Sequence, residues 1–309
     1  MLYRIEIPAS GGADAVRDFI SGWVGHPALQ TIVEAEGGIW PEGSLTEQVA
    51  ALHTFSSRWD FRGGAERLEL SAEDQSRDEA GIKRAAEELG LSLAEPPVSK
   101  RYDHGLALGG TAVASIYRVR RLFEIRGESA TVGHPAVLTA LREIGAPELD
   151  LVRARSELAA LVDGAETEFD VMTNAVAHFE RAAPRIARTP NSNPHLASAI
   201  ADIGDTLVLA APSADPHRRA NTRDNYDVYS ARIGKSDAVL VVTSSIYLPY
   251  QFFVALQALG WTEPRTIEAV GFPPEWMAGT LTGVTNVLQE IRSALYGAMK
   301  TLELLDAGI

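Results

Sequence analysis

Beyond residue 98 of this 309-residue chain, short apolar runs alternate with stretches whose apolar residues recur every three or four positions. The runs that predict strands are HGLALGG, LDLVR, DTLVLAA, AVLVVTS and TIEAV. Strands that are apolar throughout are buried on both faces, and strands that alternate with helices form a parallel sheet. The pattern therefore predicts a doubly wound α/β domain with a parallel sheet and with LALGG on a central strand.

The stretches between these runs predict helices, because their apolar residues fall on one face at helical spacing. They are TAVASIYRVRRLFEI, HPAVLTALREIGA, TEFDVMTNAVAHFERA, TRDNYDVYSARIG, PYQFFVALQALG and the closing GTLTGVTNVLQEIRSALYGAMKTLELL.

The first 98 residues predict a mostly helical N-terminal cap. DAVRDFISGWV and LTEQVAALHTF have helical spacing, and a third helix is expected to begin at Ser71 as its N-cap and to stop at Gly90. Pro96 and Pro97 then form a stiff connector. We expect a cap over residues 1–98 and a ligand-binding α/β domain with a C-terminal helix over residues 99–309.

Composition excludes several classes of protein. There are no cysteines, so disulfides, thiolate metal sites and cysteine nucleophiles are ruled out, which agrees with a cytoplasmic location. A net charge of -13 and a pI near 5.0 are unlike duplex nucleic-acid binders. The start of the chain lacks the pattern of a signal peptide, and no run reaches the roughly 18 apolar residues of a membrane span. We expect a small-molecule ligand and neither nucleic acid nor membrane as partner, and the oligomeric state is left open.

In parallel sheets, ligands bind beyond the carboxyl ends of the strands, where helix N-termini present free N–H groups. The segments RRANTRDN and GGTAVASIYR follow two predicted strands and are therefore candidates. In the first, three arginines within six positions suit an anion, since guanidinium groups bind phosphate or carboxylate in pairs of hydrogen bonds. The predicted core of this site is Arg219, Asn221, Thr222 and Asn225. The alternative is that Arg218, Arg219 and Arg223 pair with Asp215, Asp224 and Asp227.

In the second segment, Gly109, Gly110 and Thr111 connect a strand to a helix. Glycines let backbone N–H groups approach a ligand, but a tight turn would need them equally. Neither GxGxxG nor the P-loop pattern is present, and neither is the GxSxG motif of serine hydrolases. Arg118 lies two helical turns further on and is either a ligand contact or part of a solvated face. Arg120 and Arg121 are assigned to the surface.

The stretch GAETEFD brings Glu166, Glu168 and Asp170 to the start of a helix. Such carboxylates can hold Mg²⁺ or act as acid and base, but acids in a first turn more often complement the helix dipole. The histidines are scattered and show no metal-binding spacing. Ser244 and Ser245 follow a predicted strand and either donate to a ligand oxygen or cap the next helix. Tyr247 and Tyr250, with Phe272 and Trp276 in nearby loops, either stack on a base or adenine ring or belong to ordinary packing.

Four stretches, LALGGTAVASIYRVRR, ETEFDVMTNAV, ANTRDNYDVYSARI and AVLVVTSSIYLPYQFFVALQALG, resemble in this order motifs of the bacterial family of unknown function that includes YdcF, SanA and ElyC. The resemblance spans roughly residues 103–271. It matches Arg118 to an arginine after a Gly-Gly strand end and Glu168 to an acidic helix start. Asp224 stands where the family usually has glutamate, and YLPYQ and RARSE also depart from the pattern.

The resemblance implies a Rossmann-like fold, binding of S-adenosylmethionine and a link to cell-envelope processes, with no common reaction. Under it, Glu168 and Asp224 are the candidate catalytic carboxylates, and Mg²⁺ is an unsupported further cofactor. The function expected is an enzyme that binds a nucleotide-like or anionic ligand. The alternatives are a phosphoester or nucleotide-sugar hydrolase or transferase, and a non-catalytic regulatory protein.

Overall fold

The computed structural model describes residues 3–61, 78–277 and 283–308. Within these residues the strands are β1 (Tyr3–Ile7), β2 (Arg101–Leu108), β3 (Thr131–Thr139), β4 (Arg185–Thr189), β5 (Ser198–Ile203), β6 (Thr206–Ala210), β7 (Val239–Val242) and β8 (Arg265–Val270). The α-helices are α1 (Gly12–Val24), α2 (Pro27–Ala35), α3 (Leu45–Phe55), α4 (Glu79–Glu88), α5 (Ala112–Glu124), α6 (Ala146–Arg153), α7 (Glu168–Glu180), α8 (Thr222–Ser230), α9 (Leu248–Leu259) and α10 (Val284–Asp306). None of the helices in the described ranges is long and apolar enough to cross a membrane.

The chain divides into two compact units. The first comprises Met1–Ala94, Ser245–Pro264 and Pro273–Ile309, and the second comprises Glu95–Ser244 and Arg265–Phe272. The first division lies near the connector that the sequence predicts, but α9 and α10, which the sequence prediction places in the α/β domain of residues 99–309, belong to the first unit. The reason is packing, because α10 lies against α9 and α3.

The first unit is built around buried aromatic side chains. The Trp23 Nε1 donates to the Tyr3 hydroxyl at 3.1 Å, and that hydroxyl donates to the Leu89 carbonyl. The Phe19 and Phe252 rings are 4.7 Å apart between centroids. These contacts join β1, α1 and α9 to the segment after α4. The predicted cap Ser71 lies outside the described residues, and within them α4 is capped by the Asp78 side chain.

The second unit contains a mostly parallel sheet in the order β8-β7-β2-β3-β6-β5-β4. The strands from β8 to β6 are parallel, and β5 and β4 continue the sheet antiparallel. Taken in chain order, the five parallel strands run 3-2-1-4-5, which is the order of Rossmann-type domains. The predicted doubly wound α/β fold is thereby confirmed, with LALGG at the end of the central strand β2. The strand order reverses between β2 and β7.

Two predicted elements were wrong. HPAVLTALREIGA, predicted as a helix, instead supplies most of β3 and the loop after it, because this segment pairs with β2 on one side and β6 on the other. LDLVR, predicted as a strand, is the C-terminal part of α6, which begins after Gly145 with a proline in its first turn. A short apolar run buried on both faces fits helix and strand alike, so periodicity alone did not separate them.

The hairpin of β4 and β5 was not predicted. All residues of β4 are exposed, and among the described strands it pairs with β5 alone, at the end of the sheet order. Arginines on the strand and prolines on both sides of it, at Pro184 and Pro190, are features that protect an edge from pairing with another chain. These features also remove the alternation by which a strand is recognised in a sequence.

Candidate functional site

The carboxyl ends of β2 and β7 flank the point at which the strand order reverses. Gly109 and Gly110 follow β2, and the Gly109 N–H donates to the Leu138 carbonyl at 2.7 Å. A Cβ on Gly109 would lie 2.0 Å from Glu168 Oε1, and a Cβ on Gly110 would lie 2.9 Å from an Arg118 nitrogen. A side chain at either position would therefore force Glu168 or Arg118 to shift.

Arg118 is fully buried, with 1% of its surface exposed, and does not lie on a solvated helix face. Its guanidinium donates to the Leu108 carbonyl at 2.9 Å and to the Gly109 carbonyl. It also donates to the Ser244 hydroxyl from two nitrogens, at 3.2 and 3.1 Å. Arg118 thus joins the end of β2 to the residues that follow β7.

Glu168 begins α7 and is 5% exposed. Its carboxylate accepts from the Thr139 hydroxyl at 3.0 Å and from Arg142 Nε at 3.2 Å. Burial raises the pKa of Glu168, although the charge of Arg142, the Thr139 hydroxyl and the charge of Arg118 oppose that shift. A carboxyl group of raised pKa beside a strand end is suited to proton transfer.

Arg142 and Glu148 complete this arrangement, and neither is among the residues predicted from the sequence. Arg142 donates to both oxygens of Glu148, at 2.8 and 2.9 Å, and to the Gly110 carbonyl at 2.9 Å. Glu148 Oε1 also accepts from the Ala112 N–H at 2.6 Å. Burial lowers the pKa of Arg142, but the two glutamates more than offset this and raise it. One guanidinium therefore forms ion pairs with two buried carboxylates, those of Glu148 and Glu168.

We call this set the switch-point cluster. It comprises Gly109, Gly110, Arg118, Thr139, Arg142, Glu148, Glu168 and Ser244. The cluster brings together Gly109, Gly110, Arg118, Glu168 and Ser244 of the predicted site residues, and Thr111 adjoins it as the N-cap residue of α5. The signal that would have found the others is the polar stretch after β3, once β3 is recognised as a strand.

The RRANTRDN segment lies after β6, and its charges are largely paired within the chain. Asp224 accepts from two nitrogens of Arg218, at 2.5 and 2.9 Å, and from the N–H groups of Asn221 and Ala214. Arg223 pairs with Asp227 at 2.7 Å. The carboxylate predicted to be catalytic thus stabilises the loop before α8.

The predicted binding residues of the same segment also have local roles. The Asn221 side chain caps α8, of which Thr222 is the first residue. The Asn225 side chain accepts from the Ala211 N–H at 2.9 Å and donates to the Asn221 carbonyl at 3.2 Å. Arg219 is exposed.

We expect Asp224→Asn to destabilise the protein by roughly 1–3 kcal/mol, the range for hydrogen bonds to a charged group. Burial disfavours the charged Asp224, but Arg218 and the two backbone N–H groups outweigh it, so the pKa of Asp224 is lowered. The stability from this shift is present above the ordinary aspartate pKa and is lost as the pH falls through the folded-state value. Urea denaturation from pH 7 to pH 3 should show the variant and the wild type converging at the acidic end.

The matched control is Asp227→Asn on the same helix, where an exposed pair with Arg223 predicts a change below about 0.5 kcal/mol. Equal stability of Asp224→Asn and the wild type at pH 7 would contradict the structural role of Asp224.

Ser245, Tyr247, Tyr250 and Trp276 belong to the first unit. Phe272 belongs to the second unit, where its ring lies 5.7 Å from that of Tyr117. No group of three or more His, Asp or Glu residues in the described part of the chain is placed to hold a metal ion. Of the carboxylates considered for Mg²⁺, Asp170 forms the capping box of α7 with Thr167 and pairs with Arg188.

Comparison with known proteins places the chain among mycobacterial relatives. Residues 8–90 match the family model described as the Rv3785 N-terminal domain. The proteins Rv3785 of Mycobacterium tuberculosis and Mb3814 of Mycobacterium bovis, both described as uncharacterized, are 30% identical over 97% of this chain and 93% of their own length. No solved structure gives a significant match. The chain belongs to the family of the mycobacterial protein Rv3785.

Proposed function

We propose that the second unit binds a small adenosine-containing ligand at the switch-point cluster, with S-adenosylmethionine as the first candidate. The observation that carries the proposal is the 3-2-1-4-5 strand order, with paired glycines and a buried carboxyl at the point of reversal. In Rossmann-type domains ligands bind at this point, and a carboxylate accepts hydrogen bonds from the ribose hydroxyls.

Glu168 is the residue that we assign to the ligand. Its carboxylate has two partners, Thr139 and Arg142, and a carboxylate has about four acceptor positions, so capacity for a ribose or amino group remains. Its raised pKa also makes it the candidate acid–base group of any reaction at this site. The choice of S-adenosylmethionine among adenosine ligands comes from the resemblance to the YdcF, SanA and ElyC family.

The alternative of a phosphoester or nucleotide-sugar enzyme receives less support. Its phosphate ligands would be Arg218 and Arg219, and two nitrogens of Arg218 are hydrogen-bonded to Asp224. An anion would have to displace a bidentate ion pair to reach Arg218.

The test is binding of S-adenosylmethionine, S-adenosylhomocysteine and adenosine, measured by calorimetry on purified protein, with native mass spectrometry for any retained molecule. We expect binding by the wild type and a roughly ten- to hundred-fold loss in Glu168→Ala, which is the effect of one charge-assisted hydrogen bond. The matched control is Glu166→Ala, an exposed residue two positions earlier. Circular dichroism checks that each variant is folded.

Absence of binding of all three compounds to the wild type would contradict the proposal. So would equal affinity of the wild type and a folded Glu168→Ala variant.

A further inference from the structure

We propose that Glu148 occupies the phosphate position of the second unit, so that the site selects ligands without a phosphate group there. The preference for ligands without phosphate rests on the proposed function. The placement of an internal carboxylate in an anion-binding position does not depend on it.

The position is the N-terminus of α5, directly after the central strand β2. In doubly wound domains this helix N-terminus binds phosphate, because its N–H groups are free and its dipole favours negative charge. Here the first N–H of the helix, that of Ala112, donates to Glu148 Oε1 at 2.6 Å. A carboxylate of the chain therefore stands where a phosphate oxygen would bind.

Arg142 adds the positive charge that an anion site requires. Its guanidinium binds Glu148 through two parallel hydrogen bonds, at 2.8 and 2.9 Å, and is held by the Gly110 carbonyl. A guanidinium and a helix N-terminal N–H together are the donors that also bind phosphate. Glu148 is 6% exposed, so the carboxylate is enclosed with these donors and is not a surface group.

The backbone fixes Glu148 in this place. Glu148 is the third residue of α6, which starts after Gly145 with a proline in its first turn, and α6 packs against α5. A phosphate at the same helix end would meet the charge of Glu148 and, beyond Gly109, that of Glu168. Like charges at short range in a partly buried site disfavour binding.

The experiment measures the response of the melting temperature to anions in the wild type and in Glu148→Ala. Removing the carboxylate frees the Ala112 N–H and the two hydrogen bonds that Arg142 gives to Glu148, while Arg142 keeps its contacts to Glu168 and the Gly110 carbonyl. We therefore expect a lowered melting temperature that 10 mM acetate or pyrophosphate raises by roughly 3 °C or more, a stabilisation through binding to the folded state. Sodium chloride at equal ionic strength should not do so. The wild type and the control Asp150→Ala, on the exposed face of α6, should respond to all three salts alike.

A folded Glu148→Ala variant that responds no more than the wild type would overturn the inference. If that variant does not fold, the affinities of the wild type for adenosine and AMP decide. We expect adenosine to bind at least tenfold more tightly than AMP. Equal or tighter binding of AMP overturns the inference. When Glu148→Ala is folded, failure of adenosine ligands to bind the wild type contradicts the proposed function alone, because the anion response of the variant does not depend on them.

Discussion

Replacing Arg118 with methionine is expected to lower the free energy of unfolding by about 3–5 kcal/mol, because three acceptors lose hydrogen bonds to a charged donor and each such bond is typically worth roughly 1.5–3 kcal/mol. The change keeps the length and apolar stem of the side chain but removes the donors to the Leu108 and Gly109 carbonyls and the Ser244 hydroxyl. These acceptors are buried at the ends of two strands, where their loss of partners is costly. Chemical denaturation monitored by circular dichroism measures the difference.

The control for this variant is Arg120→Met, two positions along the same helix. Arg120 is partly exposed and pairs with Glu124 one turn later, an interaction typically worth about 0.3–0.5 kcal/mol. Similar losses in the two variants would show that the guanidinium of Arg118 does not hold the strand ends together.

Gly109→Ala is expected to cost about 1–3 kcal/mol, the typical effect of forcing an extra methyl group into a filled space. The new Cβ would lie 2.0 Å from Glu168 Oε1 and 3.2 Å from the Leu138 carbonyl. Glu168 cannot move aside without breaking its hydrogen bonds to Thr139 and Arg142. Thermal unfolding and calorimetry with an adenosine ligand should therefore both register the change.

Two further variants isolate the cause. Gly127→Ala adds a methyl group where no atom lies within 4 Å, and it should leave stability nearly unchanged. In Gly109→Ala combined with Glu168→Ala the clash disappears, so the double variant should be more stable than the sum of the single effects by about 0.5–3 kcal/mol. Additive losses would mean that the Glu168 carboxylate is not what excludes a side chain from position 109.

The central part of the sheet could be predicted from the sequence because its strands are apolar on both faces and end at strong turn signals. HGLALGG contains the end of β2, and AVLVVTS contains β7. The glycines after β2 indicate the edge of the sheet at which the switch-point cluster lies. The helix starts at Thr167 and Asn221 could also be predicted from the sequence, since both have capping boxes.

The other three residues of the cluster, Thr139, Arg142 and Glu148, could not be predicted because the β3 segment has the pattern of a helix. Ala, Leu, Arg and Glu in HPAVLTALREIGA favour a helix locally, and only pairing with strands on both sides makes the segment a strand. With that error, Arg142 fell inside a helix, and Glu148 fell next to a predicted strand. Neither was placed at a sheet edge.

The role of RRANTRDN was undecidable from sequence for a different reason. Charged residues three to six positions apart can meet each other or a ligand, and composition does not distinguish the two. The structure pairs Arg218 with Asp224 and Arg223 with Asp227.

The position of β2 in the sheet also determines how long after its own synthesis its two neighbouring strands become available for pairing. Arg101 of β2 pairs with Thr131 of β3, 30 positions later, whereas Gly105 pairs with Leu240 of β7, 135 positions later. At a synthesis rate of roughly 5–20 residues per second, β7 is synthesised about 7–27 s after β2. During that time a strand whose residues 104–108 are all buried in the folded protein presents an open edge to other nascent chains. Aggregation during translation is therefore expected to start at β2, and slowing the ribosome between residues 140 and 240 should lower the soluble yield.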